Sequence, residues 1–138
     1  MDEKKLSPFI NGGFPLSRLK GMTAEEWFEY GLKSAKSHQS DLAMRAFDNA
    51  LKLEPNFADA AYYKGIVLLG IEGRVSEALK FLHKALDLYK RQNRAEDAER
   101  TRRVIEKTKH HTRFSEEDLQ FEYELGLLLL KKQSLRRK

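Results

Sequence analysis

Apolar side chains recur at three- and four-residue steps across residues 24–130, with small and large ones alternating in a repeated order. Trp27, Tyr30 and Gly31 are followed by Ala43, Phe47 and Ala50, and then by Pro55. Gly65 lies 34 residues after Gly31, and Ala78, Leu82 and Ala85 repeat the small, large, small series of Ala43, Phe47 and Ala50, displaced by one residue in the loop between. Each stretch carries start and stop signals. Thr23 with Glu26 makes a capping box for a helix over 24–37, and Met22 and Trp27 stand where a hydrophobic staple sits. Ser40 caps a second helix that runs to Glu54, because Pro55 disfavours helical backbone in the residue before it. Asn56 caps a third helix ending near Gly70, and Gly73 with Ser76 supplies the turn and cap of a fourth. A fifth follows over 95–107, with Ala98, Val104 and Ile105 on one side. Ser115 caps a sixth that runs through Lys132, with acidic residues in its first turns.

The small residues give these helices a way to pack. Two helices approach to about 8 Å only where one presents Gly or Ala to the other's bulky side chain. Gly31, Ala43, Ala50, Gly65, Ala78 and Ala85 fill that role. The pattern resembles the tetratricopeptide repeat (TPR), most clearly over residues 24–91. The resemblance implies an all-α, TPR-like α-solenoid of antiparallel helix pairs, with two clear repeats and a degenerate C-terminal helix pair. The chain then divides into an irregular N-terminal segment (1–21), a helical repeat domain (22–132) and a basic C-terminal tail (133–138). The last helix admits two registers. Leu119, Tyr123 and Gly126 match the second helix of a third repeat, whereas Tyr123, Gly126, Leu127 and Leu129 echo Tyr62, Gly65, Ile66 and Leu68 as the opening helix of another, which a trimmed chain would leave half finished. Phe9, Ile10, Phe14, Leu16 and Leu19 are more apolar residues than a solvated tail needs, so part of the opening segment is expected to pack on the repeats.

Composition narrows the function classes. The 138 residues are 41% hydrophobic and include no cysteine, which excludes disulfide frameworks, thiolate zinc sites and cysteine nucleophiles. The longest apolar run, 125–130, is far shorter than the roughly 20 residues that cross a bilayer, and no signal-peptide core opens the chain, so a cytoplasmic location is expected. No glycine loop precedes Lys and Ser or Thr, no serine is flanked by glycines at nucleophile spacing, and His110 and His111 are adjacent and diverge on a helix. The expectation is a non-enzyme without cofactor or metal. Residues 1–89 hold 12 Lys or Arg against 12 Asp or Glu, and residues 90–138 hold 14 against 9, so the net charge of +5 lies in the last third.

Stacked helix pairs curve into a face lined by the first helix of each repeat. The resemblance therefore implies a protein-interaction module or scaffold whose groove holds a peptide or helix. Its groove positions fall on Glu25, Phe28, Glu29 and Leu32 in the first repeat and on Asp59, Tyr62, Tyr63 and Ile66 in the second. That surface is apolar with acidic edges, and it suits a partner with apolar anchors and basic neighbours. It departs from the carboxylate-clamping TPR subclass, whose basic positions are held here by Phe28, Leu32 and Tyr63, with Asp59 and Glu29 repelling a carboxylate. The groove could also be filled by Phe9, Ile10 and Phe14 or by the apolar face around 127–130, within the chain or by self-association through these terminal segments. The competing reading is a nucleic-acid-associated helical repeat using Arg100, Arg102, Arg103, Lys107 and Lys109 as phosphate contacts. Against it, Glu96 with Arg100 and Glu99 with Arg103 have the spacing of a solvated, ion-paired helix.

Overall fold

Helix α3 (Ala58–Leu69) is apolar on almost every side, and a helix with no polar face has to be surrounded. In the structure, a computed structural model that describes residues 21–110 and 114–136 and the backbone pair Phe9–Ile10 with Phe14–Pro15, α3 is packed by α1 (Ala24–Lys36), α2 (Ser40–Leu53) and α4 (Val75–Arg91). Further along the chain, α5 (Ala95–Lys109) packs on α4, and α6 (Glu116–Arg136) packs on α1 and α3. The fold is all-α. Its only other regular feature among the described residues is the two-residue antiparallel pairing of Phe9–Ile10 with Phe14–Pro15. The expected packing of the opening segment lies outside the described residues. No helix among the described residues is long and apolar enough to cross a membrane.

The expected small-to-large contacts are present. A Cβ added at Gly31 would sit 2.5 Å from Cε1 of Phe47, and one at Gly65 would sit 2.8 Å from Cγ of Leu82. These glycines therefore set how closely α1 meets α2 and α3 meets α4. Ala43, Ala50, Ala78 and Ala85 are buried at the same seams. At the start of α1, Thr23 accepts from the Glu26 amide and Glu26 accepts from the Thr23 amide, each at 3.0 Å, while Met22, Tyr30 and Trp27 cluster over the entering chain.

Three expectations change. Ser40 is the first residue of α2 rather than its cap, and α3 and α4 begin after Phe57 and Arg74 without a side-chain cap, so Asn56 and Ser76 do not cap them. Helix α6 continues to Arg136, past its expected end at Lys132. Most consequentially, α5 and α6 do not form a pair. Helix α5 turns its apolar side, Ala98, Val104 and Ile105, into the core and presents charges elsewhere, whereas α6 has a glycine that lets it lie down on α1 and α3.

Candidate interaction site

The α1/α3 face is built from the side chains expected to line a groove, and α6 occupies it. Near its start, Glu116 lies 3.7 Å from His38 just past the end of α1, and Leu119 meets Gly70 at the end of α3. Glu124 then pairs with Lys36 at 3.2 Å. Two residues on, a Cβ at Gly126 would fall 2.9 Å from Cζ of Tyr63 and 3.1 Å from Cδ1 of Leu32. Near the end of α6, Leu130 and Lys131 share a recess with Glu25, Glu26 and Glu29 in the first turns of α1. Helix α6 therefore runs antiparallel to α1, with Tyr123 buried among the residues of the face.

Under α6, the expected contact residues Phe28, Leu32, Tyr62, Tyr63 and Ile66 are buried core and do not face solvent. Phe28 is tilted against Phe47, Phe57 and Tyr63 at centroid distances of 5.9, 5.1 and 5.7 Å, and Tyr62 meets Tyr63 edge-on at 4.9 Å. Phe28, Tyr62 and Tyr63, expected as contact residues, serve as packing. The acidic edge is largely committed within the chain. Asp59 accepts from the Tyr89 hydroxyl and from Arg94 at 3.0 Å, and Glu29 pairs with Lys33 at 3.1 Å. That removes part of the reason for basic neighbours on a partner.

What stays open is a cleft of about 780 Å³ between α5 and α6, floored by Phe28 and Tyr63. Its α6 wall carries Leu125, Leu129 and Leu130, and its α5 wall carries Arg94, Arg100 and Arg103 with Glu96, Asp97 and Glu99. A relay of polar contacts joins the two sides beneath it. Arg94 bridges Asp59 and Asp97, at 3.0 and 2.9 Å, and lies over the Tyr89 ring. Arg100 reaches Asp97 at 3.4 Å and lies over the Tyr62 ring, and the Tyr62 hydroxyl donates to Glu122 of α6 at 3.0 Å. Burial holds the Tyr62 and Tyr63 hydroxyls protonated well beyond the ordinary tyrosine range, with the Glu122 carboxylate acting in the same direction. Two buried polar atoms in this region have no hydrogen-bond partner: the Tyr63 hydroxyl and Nε of Arg100.

The residues of the nucleic-acid reading are spread through local pairings. Arg102 binds Glu99 at 2.7 Å, Arg103 approaches the same carboxylate at 3.7 Å, and Lys107 lies 3.8 Å from Asp118 and over the Phe114 ring. Arg100 is turned inward, and Lys109 is exposed in the last turn of α5. The sequence reasoning missed Arg94, Leu125 and Leu129 as cleft residues. A signal for Gly126 was present, since a glycine amid leucines in a helix marks a close approach. Against models of known protein families, curated proteins and solved structures alike, the chain finds no match.

Proposed function

We propose that the chain is a non-catalytic, TPR-like protein-interaction module, and that its working site is the half of the groove that α6 leaves open. The partner is an extended segment laid between α5 and α6, with apolar anchors against Leu125, Leu129 and Leu130. The observation that carries this reading is that both helices stand over the same floor without packing on each other, leaving a cleft with one apolar and one charged wall. Ligand clefts commonly combine an apolar lining with a few polar groups that fix orientation. Here Arg100, partly exposed on the α5 wall, is a hydrogen-bonding group for which a peptide carbonyl is a suitable acceptor. The charged residues around the cleft, Arg94, Arg100, Arg103 and Lys132 against Asp59, Glu96, Asp97 and Glu99, are balanced in sign, so anchors rather than net charge define the partner.

The test is selection of peptides from a random library on the intact chain, followed by titration of the winners against variants. Tyr62 and Tyr63 are unsuitable targets, being 0% and 1% exposed, because truncating them would unfold the core. Leu129→Glu and Arg100→Gln should each weaken binding about tenfold or more, while Arg102→Glu on the solvent side of α5 leaves it unchanged. Selected peptides that bind Leu129→Glu as well as they bind the intact chain would remove the cleft from consideration.

A further inference from the structure

Helix α6 is apolar on two opposite sides. Leu119, Tyr123, Gly126 and Leu130 face α1 and α3, while Phe121, Leu128 and Leu135 recur at seven-residue steps along the side turned away. Phe121, Leu128 and Leu135 are 65%, 63% and 63% exposed. A row of large apolar side chains at heptad spacing is the seam of a helix pair, and exposed single leucines do not explain its regularity. The charges on the same helix specify the occupant. Its first half holds Glu116, Glu117, Asp118, Glu122 and Glu124, and its last turns hold Lys131, Lys132 and Arg136. Laid parallel on a copy of itself, α6 would set acid beside acid and base beside base. Laid antiparallel, it sets each acidic half against a basic end and opposes the two helix dipoles favourably.

We propose that α6 pairs with α6 of a second copy of the chain, antiparallel and centred on Leu128. The register follows from position. Phe121 and Leu135 each lie seven residues from Leu128, and Glu124 and Lys132 each lie four, so a two-fold axis at Leu128 sets Phe121 against Leu135 and Glu124 near Lys132 of the second copy. The contact is isologous and leaves the two solvent-facing sides of α5 free. It shares Lys132 with the peptide cleft, whose apolar anchors lie on the flank of α6 that faces α5. One helix per copy is a small interface, so the association is expected to be concentration-dependent.

Sedimentation equilibrium of the full chain tests this. The mass should rise from 16.1 kDa toward twice that value across roughly 1–200 μM, and Leu128→Glu should hold it at one chain with its helical circular dichroism unchanged. The absence of cysteine makes orientation readable. Under mild oxidation, an equimolar mixture of Phe121→Cys and Leu135→Cys chains should cross-link, and each variant alone should not. A chain that stays monomeric throughout this range overturns the proposal, including a monomer whose stripe is shielded by the residues before Gly21. Cross-linking of either variant with itself overturns the antiparallel register.

Discussion

Three tyrosines meet in the core, and their hydroxyls end differently. Tyr62 donates to Glu122, Tyr89 donates to Asp59, and Tyr63 has no partner while sharing their burial. A buried hydroxyl without a partner carries its desolvation cost uncompensated, whereas a hydroxyl on a carboxylate contributes a charge-assisted bond. Tyr63→Phe should therefore leave stability unchanged or raise it by up to about 1 kcal/mol, and Tyr89→Phe should lower it by roughly 1–3 kcal/mol. Urea midpoints at constant m-value measure both, and equal losses would mean that the Tyr63 hydroxyl is bonded. Legibility at this scale followed locality. The Thr23 and Glu26 box involves residues three apart and was readable, as was Ser115, whose hydroxyl and amide exchange 3.0 Å bonds with Asp118. Ser40, Asn56 and Ser76 have the right chemistry for caps, but the cap position falls at Gln39, Phe57 and Arg74, one or two residues from where the side chain could serve.

Between elements, Gly65 and Gly126 set how closely helices meet, and they make separable predictions. A Cβ at Gly65 would meet Leu82 and, at 3.2 Å, the Ala78 carbonyl, which cannot rotate away as a side chain can. Gly65→Ala should cost roughly 1–3 kcal/mol despite alanine's better helix propensity, read as a lowered melting temperature. At Gly126 the added Cβ would press on the Tyr63 ring and hydroxyl and on Leu32. Gly126→Ala should therefore lift α6 alone, with amide exchange in α6 accelerated about tenfold or more while α1 to α4 keep their protection. Uniform acceleration across all helices would show that α6 is no separate unit. The helices themselves were legible because apolar period and punctuation are local. The place of α6 was not, because a helix with two apolar sides does not say which one it buries, and its two repeat-like registers were equally consistent with Tyr123 and Gly126. The groove residues were legible as one face and illegible as a ligand surface for the same reason: Phe28, Leu32, Tyr62 and Tyr63 do point one way, and what they point at is 60 or more residues away in sequence.

Across the whole molecule, the same buried tyrosines couple the fold to alkaline pH. Tyr62, Tyr63, Tyr89 and Tyr123 are all held protonated above the ordinary value of 10.0, each chiefly because burial penalises the phenolate. In the unfolded chain they ionise near pH 10, while in the folded chain they keep their protons, so above that pH the unfolded state binds fewer protons and falls in free energy relative to the fold. The stabilisation is complete below about pH 10 and is lost as pH rises beyond it, at a limiting rate of about 1.4 kcal/mol per pH unit for each tyrosine. Four such groups joined through one core and the α6 seat should make the alkaline transition steep and cooperative. Circular dichroism together with phenolate absorbance between pH 9 and 12 measures it: helix loss and tyrosine ionisation should coincide for these four. A smooth phenolate curve centred on pH 10 with the helices intact would place the four hydroxyls in contact with water, and α6 off the face it covers.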